Sequence, residues 1–266
     1  MTTPLSAPNP VKERLREGKV VLGMLTRLAR SGDIARIAKT CGHDFLFVDM
    51  QHSLYSVETV GHIAHAALGC GIAPLVRVRS CDDENTSVLL DNGVMGIVFP
   101  DIGTAEQARR AVNRAKYPPT GRRSVGGGFP IFDYRAVPVA DAVRALDENT
   151  LVVCMIENQE GLDNIDAICA VDGVDVVHVG SNDLLTAMGR PGTFGSPEHV
   201  AALDKVIAAA LKHGKVAGVG GDRNLARQVE FIRKGVRFLT TNSDAAFVLA
   251  EGTRVTTELR KALDRA

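Results

Sequence analysis

The chain has 266 residues, 45% of them hydrophobic and 23% charged, the balance of a soluble globular protein with enough apolar surface for a full core. Lysine plus arginine (31) equals aspartate plus glutamate (31), so no net field draws nucleic acid or an anionic membrane surface, and neither is expected as a partner. No run reaches the roughly 18 apolar residues of a membrane span, and the cysteines at 41, 70, 81, 154 and 169 form no CxxC pair, which signals neither a disulfide framework nor a zinc site.

Met1 to Pro10 is polar and proline-rich, without the basic start or apolar run of a signal peptide. It reads as a flexible segment ahead of one cytoplasmic domain over residues 11–266. Short β-branched or apolar runs then alternate with longer helix-patterned stretches, the arrangement of parallel strands joined by crossover helices. Strands are expected at Val20–Leu25, Phe45–Asp49, Pro74–Val78, Gly96–Phe99, Leu151–Ile156, Asp175–Val179, Val216–Val219 and Arg237–Thr240. Helical patterns occupy Val57–Leu68, Ala105–Ala115, Ala140–Leu146, Leu162–Ala170, Glu198–His213 and Leu225–Lys234. Eight such units in a chain near the ~250 residues of a (β/α)₈ barrel predict a closed α/β TIM barrel. Asp244 to Arg265 reads as an additional C-terminal helix, more than closure requires and suited to an interface. Tyr117–Tyr134, with Pro118-Pro119 and Gly126-Gly127-Gly128, is the longest irregular insertion, and such loops are usually functional or mobile.

In this fold the C-terminal ends of the strands and the loops after them build the active site. Those positions hold Asp49-Met50-Gln51-His52 after the second strand, Arg77 in the third, Glu157 after the fifth and Gly180-Ser181-Asn182-Asp183 after the sixth. Glu157 and Asp183 follow adjacent strands, and two carboxylates at one mouth suit a hard cation such as Mg²⁺ or Mn²⁺, with water and substrate completing its shell. The plainer alternatives are that Asp183 caps a helix beginning near Leu184 and that Glu157 pairs with a neighbouring cation. His52, in a loop beyond a buried strand, can accept a proton near neutral pH. The other histidines, His178 and His199 among them, fall in strands or helices where a satisfied structural role is expected. Arg77 ends an otherwise apolar run, so its charge faces either a cavity or a paired acid. Asp91 reads as a helix end or turn. Gly218-Val219-Gly220-Gly221 follows the seventh strand, where barrels often bind phosphate, though glycine also turns tight loops.

These motifs, together with Leu90-Asp91-Asn92-Gly93 and Tyr117-Pro118-Pro119-Thr120-Gly121-Arg122-Arg123, resemble in order and spacing the HpcH/HpaI aldolase family across roughly residues 10–250. The resemblance implies a metal-dependent carbon–carbon lyase that makes or cleaves 4-hydroxy-2-oxo acids through a pyruvate-type enolate and an aldehyde. It implies a divalent cation (Mg²⁺, Mn²⁺ or Co²⁺) held by Glu157 and Asp183 and chelated by the 2-oxo acid. Arg77 would stabilise the enolate oxygen, His52 would transfer protons, and Asp49 and Asp91 would orient or support it. Gly180, Ser181, Asn182 and Asp183 would bind the substrate, its carboxylate meeting backbone N–H groups at a helix N-terminus. A homohexamer built as a trimer of dimers is also implied. The family often has glutamate where Gln51 stands and glutamine where Met155 stands, replacements that remove an anionic base and a hydrogen-bonding side chain beside the cation. Alternative readings are a related CoA-thioester lyase, with Arg122 and Arg123 as phosphate contacts, a citrate-synthase-like condensing enzyme, or a binding protein with a degenerate site.

Overall fold

A computed structural model describes residues 8–264. Eight strands follow one another around a closed, all-parallel barrel: β1 (Val21–Thr26), β2 (Phe45–Asp49), β3 (Ala73–Arg77), β4 (Gly96–Phe99), β5 (Leu151–Ile156), β6 (Val176–Gly180), β7 (Val216–Gly220) and β8 (Phe238–Ser243), the last pairing with β1. Closure leaves no unpaired edge. The predicted barrel with an added C-terminal helix is the observed one.

Alternation along each strand divides the core in two. Phe45 and Phe47 of β2, Leu75 of β3, Val153 and Met155 of β5 and Phe238 of β8 fill the barrel interior. Leu46, Val48, Val76, Val152, Cys154 and Val177 face outward and pack beneath the helices. Both faces of β2, β4 and β5 are therefore largely apolar, which explains why they read as continuous runs, whereas β8 turns polar after Leu239. The same alternation continues the interior rows of β2 and β3 to Asp49 and Arg77, which pair in register. It also continues β6 from Val176 through His178 to Gly180, which pairs with Gly220. Polar groups thus cap the interior at the C-terminal ends of these strands.

Two short helices escape the sequence reading, Pro10–Arg16 and Asp33–Thr40, while those expected near Leu184 and ending at Asp91 run over Ser181–Ala187 and Thr86–Asp91. The first is started by Asn9, whose side chain accepts from the N–H groups of Val11 and Lys12 and donates to the carbonyls of Met95 and Asn149. Asn9 and Pro10 therefore belong to the folded body, not to a flexible lead; residues 1–7 of that expected segment lie outside the described residues. The helix expected over Leu162–Ala170 is broken into Gln159–Asp163 and Ile165–Cys169 at Asn164, whose side chain donates instead to the carbonyl of Gly103.

The insertion Tyr117–Tyr134 is packed: Tyr117, Phe129 and Phe132 form a small core with Ala142, Ala145 and Leu146 of the helix Val139–Asn149. Pro130 lies against Gly93, just before β4 begins, so within one chain this loop serves the end of the barrel opposite the polar mouth. The C-terminal helix runs Asp244–Leu263, with Arg265 outside the described residues. Only its first residue is buried: Asp244 accepts from the N–H groups of Arg27, Leu28 and Ala29 and so fixes the loop after β1. No helix among the described residues is long and apolar enough to cross a membrane.

Candidate active site

The polar end of the barrel opens into a cavity lined by Arg27, Arg77, Glu157, Ser181, Asn182 and Asp183, over a floor that includes Phe47, Met155 and His178. Its anchor is Asp49, which is wholly buried. One carboxylate oxygen accepts from Arg77 Nε at 2.9 Å and from the N–H groups of Gln51 and His52; the other accepts from Arg77 Nη2 at 2.7 Å and Arg27 Nε at 2.6 Å. Burial alone would raise the Asp49 carboxyl, but the hydrogen bonds and charge of Arg77, joined by Arg27, outweigh it and hold the group below the usual carboxylate range. Both oxygens of Asp49 are engaged by donors, so the carboxylate clamps Arg77 against Arg27. The clamp uses two corners of the Arg77 guanidinium and leaves Nη1, which stands 3.9 Å from both Met155 Sδ and Glu157 Oε1. The paired-acid and cavity-facing readings of Arg77 thus both hold.

Glu157 is 3% exposed. Its Oε2 accepts from the N–H of Asp101 at 3.1 Å, while the buried Oε1 has no hydrogen-bond partner among the described residues. Burial pushes its carboxyl up to about 7, against the Asp101 N–H and Arg77, with Asp101 and Asp183 adding like charge. Asp101 holds a left-handed backbone (φ 53) to deliver that N–H, a conformation aspartate tolerates better than most residues. The wall beside the carboxylate is bare, because Gly180 offers no side chain there. Asp183 lies in the first turn of Ser181–Ala187, with Gly180 at the cap position; the helix starts earlier than Leu184, so Asp183 does not cap it. The described residues contain no cluster of three or more His, Cys, Asp or Glu suited to a metal. Two carboxylates with one oxygen unpartnered instead fit a Mg²⁺-type cation, which takes few protein carboxylates and keeps its remaining positions for water and substrate.

Ser181 is buried at the edge of this pocket, 3.0 Å from Nε2 of the buried His199. Nδ1 of His199 accepts from the N–H of Gly195 at 3.0 Å, so the ring proton is on Nε2 and is donated to Ser181 Oγ. The serine hydroxyl keeps its own proton for an acceptor in the cavity.

The structure brings Asp49, Arg77, Glu157, Gly180, Ser181, Asn182 and Asp183 to one mouth. His52 stands at the rim: its backbone N–H is tied to Asp49 at 3.3 Å, but the residue is exposed and its imidazole does not line the cavity. Asp91 is elsewhere. The helix Thr86–Asp91 carries it toward the start of β4, where it pairs with the buried Arg123 and abuts Gly126, away from His52. Arg123 is thereby committed to an ion pair and is not free for a ligand phosphate. Gln51 donates weakly to Asp101 at 3.5 Å, and its Oε1 has no partner among the described residues. Sequence reasoning missed Arg27, Arg223, Thr240 and Asn242, all lining the cavity. For Arg27 and Arg223 the signal was the one used for Glu157, position beyond a strand's C-terminal end, whereas Thr240 and Asn242 lie within β8.

A family profile described as HpcH/HpaI aldolase/citrate lyase fits residues 24–249. The chain is 38% identical over 231 residues to the 4-hydroxy-4-methyl-2-oxoglutarate aldolase tasA of Hapsidospora irregularis, covering 86% of each protein. It is 32% identical over 241 residues to a hydroxypyruvate/pyruvate aldolase of Cupriavidus necator, covering 90% of this chain and 88% of that one. Its fold superposes on the crystal structure of an HpcH/HpaI aldolase from Desulfitobacterium hafniense DCB-2 with a TM-score of 0.90 at 31% identity, over 94% of this chain and 96% of the other.

Proposed function

The chain belongs to the HpcH/HpaI aldolase/citrate lyase family, and on that premise we propose a metal-dependent aldolase that forms and cleaves 4-hydroxy-2-oxo acids by way of a pyruvate-type enolate and an aldehyde. The observation that carries the reading is the pairing, in one pocket and 3.9 Å apart, of Glu157 Oε1, which has no hydrogen-bond partner among the described residues, with Arg77 Nη1, the corner of the guanidinium that Asp49 does not hold. An anionic oxygen and a cationic donor facing a common space are suited to a cation and a developing oxyanion. Glu157 and Asp183 would hold Mg²⁺, Mn²⁺ or Co²⁺, which when bound supplies Lewis-acid polarisation of the keto oxygen.

The remaining work falls to the chain's own side chains. In cleavage, the C4 hydroxyl loses its proton, the C3–C4 bond breaks to release the aldehyde, and the electron pair passes to the enolate oxygen. Arg77 Nη1, held by Asp49, stabilises that charge in a site where Phe47 and Met155 limit water. The Ser181 hydroxyl, with the N–H groups of Ser181 to Asp183, receives the substrate carboxylate beside Gly180. His52 carries the C4 hydroxyl proton from the rim, reaching the substrate directly or through one water. Asp49 acts as a positioning residue through Arg77 and the His52 backbone. Asp91 has no part in this site within a single chain.

Assembly and compartment are part of the same reading. Val248, Leu249, Leu259 and Leu263 are 60–74% exposed along the helix Asp244–Leu263, which supports a homo-oligomer, a hexamer by family resemblance, with that helix in an interface. All five cysteines are unpaired, which supports a reducing, cytoplasmic location.

The test is to incubate the chelated protein with pyruvate or hydroxypyruvate and a panel of aldehydes, with and without each of the three cations, and weigh the products. Adducts of the summed donor and aldehyde mass, appearing only with a cation, are expected. Adduct formation at full rate after exhaustive chelation removes the metal assignment. No adduct with any donor, aldehyde or cation removes the aldolase reading, and a product formed only from a CoA thioester favours the condensing alternative.

A further inference from the structure

His199 is satisfied at both ring nitrogens, as the sequence leads one to expect of a helical core histidine, but one of its partners belongs to the active site. The ring is wholly buried on the helix Pro197–Lys212, in T-shaped contact with Phe194 and Phe231 at ring separations of 6.0 Å and 5.8 Å. Nδ1 accepts from the Gly195 N–H and Nε2 stands against Ser181 Oγ, each at 3.0 Å. Gly195 is itself held in place. Its φ of +80 suits glycine, and a methyl group there would stand 2.6 Å from Cδ of Arg227, which binds the buried Asp222 through two nitrogens at 2.6 Å and 2.8 Å. The turn after β6, the loop after β7 and the loop ahead of Pro197 therefore meet around one imidazole. Because Gly195 keeps Nδ1 an acceptor, the donor is Nε2. Burial holds the ring below the ordinary imidazole range, against the charge of Asp222, so this neutral tautomer persists near neutral pH.

Ser181 opens the helical turn that also carries Asp183. Residues two apart on a helix do not share a face. With Ser181 drawn to His199, Asp183 is left to the cavity, which it lines. The opposite side of the turn rests on Gly221, where a methyl group would stand 3.0 Å from Asn182 Nδ2 and 3.3 Å from the Asn182 nitrogen. That packing limits the depth of the turn, whereas the hydrogen bond from His199 is directional and constrains its rotation.

We propose that His199 is a positioning residue of the cation site: through its hydrogen bond to Ser181 it holds the turn Gly180–Asp183 in the rotation that presents Asp183 to the cation. This rests on the assignment of Asp183 in the aldolase reading, and the test separates the two. Two replacements divide the contacts of the ring. Asparagine puts an amide oxygen where Nδ1 stands and nothing at Nε2, so His199→Asn keeps Gly195 and loses Ser181. Glutamine puts an amide N–H near Nε2, so His199→Gln keeps Ser181 and loses Gly195. These variants, Ser181→Ala, and the double variant combining Ser181→Ala with His199→Asn are titrated calorimetrically with Mn²⁺ and then, Mn²⁺-loaded, with pyruvate, and their thermal midpoints are recorded.

Mn²⁺ affinity should fall about tenfold in His199→Asn and in Ser181→Ala and stay within about threefold of wild type in His199→Gln, the scale expected when a ligand's support is lost or kept. The double variant should lose no more than either single one, because both remove the same interaction. The reverse order, with His199→Asn spared and His199→Gln weakened, makes His199 a support of the Gly195 loop alone and overturns the proposal. Unchanged affinities overturn it too, as do losses that add in the double variant. If the histidine variants do not fold, Ser181→Ala decides: a loss of Mn²⁺ affinity with an unshifted midpoint upholds the proposal, and unchanged affinity rejects it. The expected order of Mn²⁺ affinities without any aldol adduct keeps His199 in its role and removes the aldolase reading. If the wild type binds no cation, the metal assignment fails and pyruvate affinity decides His199 by the same ordering; a wild type that binds neither rejects both.

Discussion

A methyl group placed on Gly180 would stand 2.4 Å from Oε1 of Glu157, closer than any real contact of that kind, so the carboxylate occupies space that only glycine leaves open. Gly180→Ala should therefore displace Glu157 without disturbing the outward-facing core. We expect Mn²⁺ affinity, measured by calorimetry, to fall about 10–100-fold, the usual effect of disturbing a ligand's surroundings, while the thermal midpoint stays within a few degrees of wild type. Unchanged affinity would remove Glu157 from the proposed ligand pair.

The Asp49 clamp gives a stability prediction whose sign follows from its acidity. Its carboxyl is held below the usual range in the folded state, so the stabilisation it contributes is complete above the unfolded-state value of about 3.9 and is lost as pH falls through the lower folded value. Asp49→Asn, which strips the buried Arg77 of its counter-charge, should cost about 3–5 kcal/mol near neutrality. Urea melts from pH 7 to pH 2.5 should show that difference narrowing only below about pH 4. A difference that is constant down to pH 2.5 contradicts the assignment.

Arg77 and His52 should fail in different ways when replaced. Nη1 of Arg77 lies outside the Asp49 clamp, so on the proposed mechanism Arg77→Ala should nearly abolish solvent deuterium exchange into the methyl group of pyruvate, a readout that needs no aldehyde. His52 sits at the exposed rim, and His52→Ala should slow aldol cleavage by roughly 10²–10⁴-fold while sparing more of the exchange. Wild-type exchange in Arg77→Ala at saturating cation would reduce that residue to an ion-pair partner of Asp49.

The exposed apolar residues of the C-terminal helix predict the assembly. Leu249, 69% exposed, and Leu259, 60% exposed, should be buried between subunits. Leu249→Glu together with Leu259→Glu should shift the protein to smaller species in sedimentation velocity. A wild-type protein that is monomeric and fully active at micromolar concentration refutes the interface.

Much of this arrangement was already legible as a linear pattern. Phe45–Asp49, Gly96–Phe99 and Leu151–Ile156 begin and end where their runs predict, because a strand buried on both faces must be apolar throughout and polar residues mark its ends. Once those ends are known, the fold rule alone brings Asp49, Arg77, Glu157 and Asp183 to one mouth, and the resemblance in their spacing supplies the chemistry. What the sequence left undecided depends on neighbours distant along the chain. Asp91 is a carboxylate of the right kind, yet a six-residue helix turns it to the far end of the barrel, where Arg123 neutralises it. His199 meets Ser181 across 18 residues of chain, and His178 reads as an ordinary core histidine until its surroundings are seen to leave Nδ1 without a partner among the described residues. Periodicity determines which face of a strand a side chain occupies; which of its atoms lacks a partner is decided only when the next strand is laid beside it, since hydrogen bonding and exclusion act through space.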